Sequence, residues 1–110
     1  MIRRGDIVIV ALPGDYGKPR PAVVIQSDRF VSALPTVLLC PLTTEILAAP
    51  LVRITVVPTL ANGIRATSQI MVDKIHPFRR TKVGEPVGHL EDATLSELNE
   101  AIAYMTGLAD

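Results

Sequence analysis

Three polar groups interrupt otherwise apolar strands, and each carries residue types able to do chemistry. The first is Arg20, held between Pro19 and Pro21 in the segment Asp15-Tyr16-Gly17-Lys18-Pro19-Arg20-Pro21. A guanidinium on a proline-stiffened backbone loses little entropy on gripping a phosphate, and its planar fork can bind two oxygens at once. The second is Thr43-Thr44, hydroxyls standing where the apolar run from Thr36 ends. The third is Ser68-Gln69, with Asp73 further along the same segment. Taken one at a time, these groups also read as an exposed arginine, a turn threonine pair and the polar border of a strand.

Other chemistries lack their residues. The sequence has no HExxH, no phosphate-binding GxxxxGK[ST], no GxGxxG after a strand and no GxSxG. Its two histidines, His76 and His89, are 13 residues apart, neither beside an obvious ligand partner. With one cysteine they cannot make the usual structural zinc sites or a disulfide framework. No metal or cofactor is therefore expected. Cys40 lies in an apolar run between Leu39 and Pro41 and reads as a buried reduced thiol.

The elements that must position these groups are short. Ile7–Ala11, Ala22–Ile25, Thr36–Cys40, Leu51–Val57 and Ser68–Ile75 read as strands, with a short edge strand near Phe78–Arg80. Ala22–Ile25 is apolar on both faces, as a central strand is. Val52, Ile54 and Val56 alternate, which turns Arg53 outward. Pro13–Pro21 reads as a loop, and 29–35 as a connection. Near the C-terminus the period changes. Leu95, Leu98, Ile102 and Met105 predict an amphipathic helix over about 93–106, with Thr94–Glu97 as a capping box or Asp92 as N-cap, and Gly107 ending it. Strands followed by one terminal helix predict a mainly β domain spanning 1–110, a small twisted antiparallel barrel with the helix packed on it.

Composition narrows the partners. The 110 residues are 48% hydrophobic and carry 11 basic and 11 acidic side chains, so the formal charge is zero. The balance hides a partition. Residues 1–82 hold all 11 basic residues against five acids, and residues 83–110 hold six acids and no Lys or Arg. A body at +6 followed by a segment at −6 fits a polyanion-binding surface beside an acidic helix, or simply two solvated faces. The apolar run after Arg4 is too short for a secretory or membrane segment, so the cytosol is the expected compartment. A mean hydropathy of +0.35 leaves apolar surface for a subunit interface.

As a set, the fragments resemble the MazF/PemK family of toxin endoribonucleases from toxin–antitoxin pairs. The resemblance rests on Arg4-Gly5-Asp6-Ile7-Val8, on Lys18-Pro19-Arg20-Pro21 followed by Ala22-Val23-Val24-Ile25-Gln26, on Val37 through Thr44, on Gly63 through Ile75, and on the closing Thr106-Gly107-Leu108. It implies an SH3-like barrel shared with the gyrase poison CcdB, a homodimer, a cognate antitoxin, and metal-independent cleavage of single-stranded RNA. It also implies Arg20 and Thr43 as the catalytic pair, with Asp73 or, by a looser match, Asp15 as acid or base, and His76 is a further candidate proton carrier by its residue type. The neighbouring Lys18, Thr44, Ser68 and Gln69 are then the expected RNA contacts. Such cleavage uses the 2′-OH of RNA as nucleophile and leaves a 2′,3′-cyclic phosphate and a 5′-OH. With two Phe and two Tyr, base stacking contributes only where Tyr16 or Phe30 lines the groove. A gyrase-binding toxin without catalysis and a non-catalytic SH3-like nucleic-acid or peptide module are the alternatives. The first needs neither Arg20 nor Thr43, and a proline-peptide groove needs more aromatics than this chain has.

Overall fold

The computed structural model describes residues 1–11 and 17–110, so Asp15 and Tyr16 lie outside the described residues. Seven strands form one antiparallel sheet that curls into a half-barrel: β1 (Asp6–Ala11), β2 (Pro19–Val24), β3 (Thr36–Thr43), β4 (Arg53–Val56), β5 (Ser68–Met71), β6 (His76–Arg79) and β7 (Gly88–His89). The order is β4-β5-β3-β2-β1-β7, with β6 also on β3. β3 is the longest strand because three others use it. β2 pairs with Leu39–Pro41 on one side, while β6 takes Thr36–Leu39 and β5 takes Leu42–Thr43.

Alternation of side chains gives the sheet two buried faces. Ile7, Val23, Cys40, Leu42, Ile54 and Ile70 form one core with the C-terminal helix α2 (Asp92–Met105). Val8, Val10, Ala22, Val24, Val37, Leu39 and Phe78 form the second, closed by Val31 from the one-turn helix α1 (Asp28–Val31). β2 is central, as its two-sided apolar pattern requires.

Several readings of the sequence need correction. β2 begins at Pro19, inside the expected loop Pro13–Pro21, and β3 runs past Cys40 to Thr43. The stretch 29–35 contains α1, whose N-cap Ser27 accepts the Arg29 N–H at 3.3 Å. Ser68–Ile75 is not one strand, since a 3₁₀ turn over Val72–Lys74 follows Met71, and the Val72 N–H goes to the Val52 carbonyl. Helix α2 is capped by Glu91 without a side-chain bond, so Asp92 and Thr94 fall in its first turn. Its inward stripe is Leu95, Leu98, Ala101 and Ile102, and Met105 is exposed. Gly107 does end the helix, at φ +80. No described helix is long and apolar enough to cross a membrane.

Candidate active site

The site begins with two prolines. The Val24 carbonyl accepts from Gly5, and the Ile25 N–H donates to Leu38. Even-numbered backbone groups of β2 therefore face β1, and odd-numbered ones face β3. Pro19 and Pro21 fall on the β3 side, where each removes a donor. The β2–β3 ladder accordingly stops at Ala22–Pro41, while β1 stays paired with β2 out to Pro19. β3 turns to β5 instead, and a hollow of about 180 Å³ opens between the parted strands, lined by Lys18, Pro19, Arg20, Pro21, Leu42, Thr44 and Ser68. A second hollow of about 350 Å³ shares Pro21, Thr44 and Ser68 with it and continues to Ile64 and Arg65.

Register places the two principal candidates. Ala22–Pro41 is the last pair of β2 with β3, and Arg20 and Thr43 lie two residues beyond it on their strands, where the two part. Thr43 is itself opposite Gln69, and Gln69 is opposite Thr55. Thr43, Gln69 and Thr55 thus form one polar row across three strands, and Arg20 projects from the same face of the sheet beyond the end of the β2–β3 ladder. Arg20 is half-buried and Thr43 buried. The Thr43 hydroxyl oxygen accepts the Glu45 N–H at 3.1 Å, which leaves its own proton to donate.

The other candidates separate. Lys18 and Thr44 are exposed on the hollow. Ser68 lines it too, but its hydroxyl donates to the Ala66 carbonyl at 2.8 Å. Gln69 is buried, and its amide is occupied by Leu47, accepting from N–H at 2.9 Å and donating to the carbonyl at 3.0 Å. Asp73 lies beyond β5, away from the row. Its carboxylate is bound by Arg53 through Nε at 2.9 Å and an Nη at 3.2 Å, which holds its pKa below the usual carboxylate value. Arg53 is correspondingly buried rather than turned outward. His76 is opposite Leu39, four residues along β3 from Thr43, its ring edge-on to Phe78 at 4.9 Å. Burial pushes the Cys40 thiol up to about 12. Among the described residues no group of three His, Cys, Asp or Glu is placed to hold a metal ion.

The reading from sequence missed two contributors to the site. Arg65 stands on the wall of the larger hollow, exposed, without a side-chain partner among the described residues. Behind it, buried Asn62 ties the turn together, accepting from Thr59 and Ile64 and donating to Val57. The Asn62-Gly63 pair was the signal for that turn, though not for its place on the hollow lined by Pro21 and Thr44.

A curled antiparallel half-barrel with a terminal helix is an architecture this chain shares with solved toxin structures. Residues 3–106 match the family described as PemK-like, MazF-like toxin of type II toxin-antitoxin system. The chain belongs to that family. It is 39% identical over 109 residues to the probable endoribonuclease MazF of Mycolicibacterium smegmatis, covering 98% of this chain and 99% of that protein. Against endoribonuclease EndoA of Bacillus subtilis identity is 25% over 114 residues, covering 100% and 98%. Among solved structures, a mycobacterial endoribonuclease in complex with its cognate antitoxin superposes with a TM-score of 0.83 at 20% identity, covering 98% of this chain and 97% of that one. The Mycobacterium tuberculosis toxin MazF-mt6 gives 0.79 at 22% identity, covering 93% and 96%.

Proposed function

We propose that this chain is an endoribonuclease toxin that cuts single-stranded RNA through Arg20 and Thr43, and that an antitoxin silences it. The family and the relatives named as endoribonucleases support the activity. The observation that supports the site is the cleft opened by Pro19 and Pro21, with Arg20 on its wall and Thr43 on β3 between the lining residues Leu42 and Thr44. The RNA 2′-OH attacks the adjacent phosphorus and the bond to O5′ breaks. The 2′-OH proton passes to a base, and the departing 5′-oxygen gains a proton. Arg20 offsets the charge growing on the non-bridging oxygens, and the Thr43 hydroxyl donates to one of them. Asp73 is committed to Arg53 and His76 lies off the row, and Asp15, five residues before Arg20 in sequence and outside the described residues, is the third candidate base.

Lys18 and Thr44 contact the RNA at the cleft, joined by Arg65, while Gln69 and Ser68 act by holding its walls. Two copies joined across a two-fold would lengthen the groove and bury exposed Ile9, Val57 or Val87. An acidic antitoxin segment suits the same cationic groove. The cytosol is the compartment we assign.

The test is purified protein, single-stranded RNA and EDTA. Cyclic-phosphate and 5′-OH ends that vanish in Arg20→Ala are expected. Intact RNA across a diverse pool, with folded protein, overturns the reading. The gyrase-poison alternative predicts that outcome.

A further inference from the structure

One wall of the larger hollow is held from outside it. Gly63, Ile64, Arg65 and Ala66 line that wall, and they belong to the connection 57–67 between β4 and β5. The connection is seated on β7. The His89 N–H donates to the Ala61 carbonyl at 2.8 Å, and a Cβ on Gly88 would collide with the Asn62 carbonyl. Its interior is organised by Asn62, which is fully buried. The Asn62 side-chain oxygen accepts the N–H groups of Thr59 and Ile64, both at 3.0 Å, and its amide donates to the Val57 carbonyl at 2.9 Å. One further bond ties the connection to α2. The Thr59 hydroxyl accepts the Asn62 N–H at 3.1 Å and donates to the Glu91 carboxylate at 2.7 Å. Glu91 is the N-cap residue of α2, yet its side chain makes no capping bond there. The carboxylate is turned to Thr59 instead, and that bond holds its pKa below the usual carboxylate value.

We propose that Glu91 is a positioning residue for RNA binding, which acts through Thr59 and Asn62 to fix the turn that presents Arg65 at the cleft. The relay runs from the Glu91 carboxylate to the Thr59 hydroxyl, on to Asn62, and from its side-chain oxygen to the Ile64 N–H, one residue short of Arg65. The Arg65 side chain has no partner of its own among the described residues, so its placement falls to the backbone of its turn. A cation on a fixed backbone grips a phosphate at a smaller entropic cost than one on a mobile loop. Loosening the relay therefore weakens binding and leaves the chemistry at Arg20 and Thr43 alone. A role confined to α2 would instead work through the negative charge of Glu91 at the positive end of the helix dipole. Glutamine separates the two, since it keeps an acceptor for Thr59 and drops the charge.

This role rests on the endoribonuclease reading for its cleavage readout, and binding tests it separately. Glu91→Ala, Glu91→Gln, Thr59→Val and Thr59→Ser are compared with wild type, and Glu91→Ala is also made in an Arg65→Ala background. The substrates are an RNA the protein cuts and the same RNA with 2′-deoxyribose at the cut, which binds without reacting. Glu91→Ala and Thr59→Val should raise KM, and the Kd for the deoxy analogue, about fivefold with kcat unchanged. Glu91→Gln and Thr59→Ser keep the bond and should stay close to wild type. With Arg65→Ala already present, Glu91→Ala should add nothing, because the group it places is gone. The Ile64 amide should exchange faster in Glu91→Ala while the β3 amides keep their rates, which shows that the domain is folded. A loss shared by Glu91→Gln, a fall in kcat at constant KM, a full Glu91→Ala effect in the Arg65→Ala background, or no change in any variant each overturns the proposal. If the analogue binds with these differences but wild type cuts nothing, the positioning role stands and the endoribonuclease reading falls.

Discussion

The side-chain amide of Gln69 makes a two-bond ring with the backbone of Leu47, accepting its N–H at 2.9 Å and donating to its carbonyl at 3.0 Å. Gln69 also stands opposite Thr43, so one residue joins the polar row to the connection that leaves β3. Gln69→Leu should cost about 1 kcal/mol of stability, the net value of such bonds where Leu47 can be rehydrated. It should also lower kcat/KM about tenfold by loosening the segment after Thr44. Denaturant melts and cleavage kinetics on the same preparation check both. An unchanged rate would make the ring purely architectural.

Thr43 should tolerate serine and not valine. The Glu45 N–H occupies one lone pair, and the hydroxyl proton is the part left for the phosphate. Thr43→Ser keeps that donor and should stay within a few-fold of wild type. Thr43→Val should lose about 10²-fold in kcat, the usual cost of one oxyanion donor. Single-turnover cleavage distinguishes the two.

The Arg53–Asp73 pair predicts a signed pH dependence. The folded-state pKa of Asp73 is depressed, chiefly by the bond from Arg53. Its contribution is therefore full above the unfolded value of about 3.9 and is lost as pH falls through the lower folded value. Asp73→Asn should be less stable than wild type at neutral pH by about 1–2 kcal/mol, because buried Arg53 loses its charged partner. The gap should close as pH drops below about 4. Urea melts at several pH values test this, and a gap that widens in acid contradicts it.

Cys40 should be silent in the folded protein. It is fully buried, and with its pKa pushed up to about 12 almost none of it is thiolate at pH 8. A thiol reagent should label it only at the rate of global unfolding. Fast labelling under native conditions would mean that β3 opens locally.

Gly63→Ala tests the turn behind Arg65. Gly63 has φ +67, and a Cβ there would lie 2.4 Å from the Val87 carbonyl oxygen. Either effect alone costs about 1–2 kcal/mol, so a loss of at least about 2 kcal/mol is expected in thermal melts.

How much of this was readable before folding follows from the range of each interaction. The presence of the strands and the end of α2 at Gly107 are local signals and emerged, whereas three strand bounds moved by three or four residues, β2 starting at Pro19, β3 running on to Thr43 and β5 stopping at Met71. α1 did not emerge, because four residues make no helical period and only the Ser27 cap marks it. Arg53 looked like an outward side chain between Val52 and Ile54. Its partner, Asp73, lies 20 residues on, and no spacing within one strand announces such a pair. Arg20 and Thr43 could be named as candidates from their settings and from the family resemblance. That Pro19 and Pro21 end one ladder and so open the cleft needed the direction of the β2 amides, which only the paired sheet supplies.

β3 is shared by β2, β5 and β6, and it ends on Thr43. At Leu39 the strand is paired on both sides, with β2 and β6, so the amides there should be among the slowest to exchange with solvent. Leu42–Thr43 pairs with β5 alone. The end of β3 that carries Thr43 is therefore held less firmly than its middle and can fray while the rest of the sheet persists. A partner could silence the site by covering the cleft or by prising loose this one strand end.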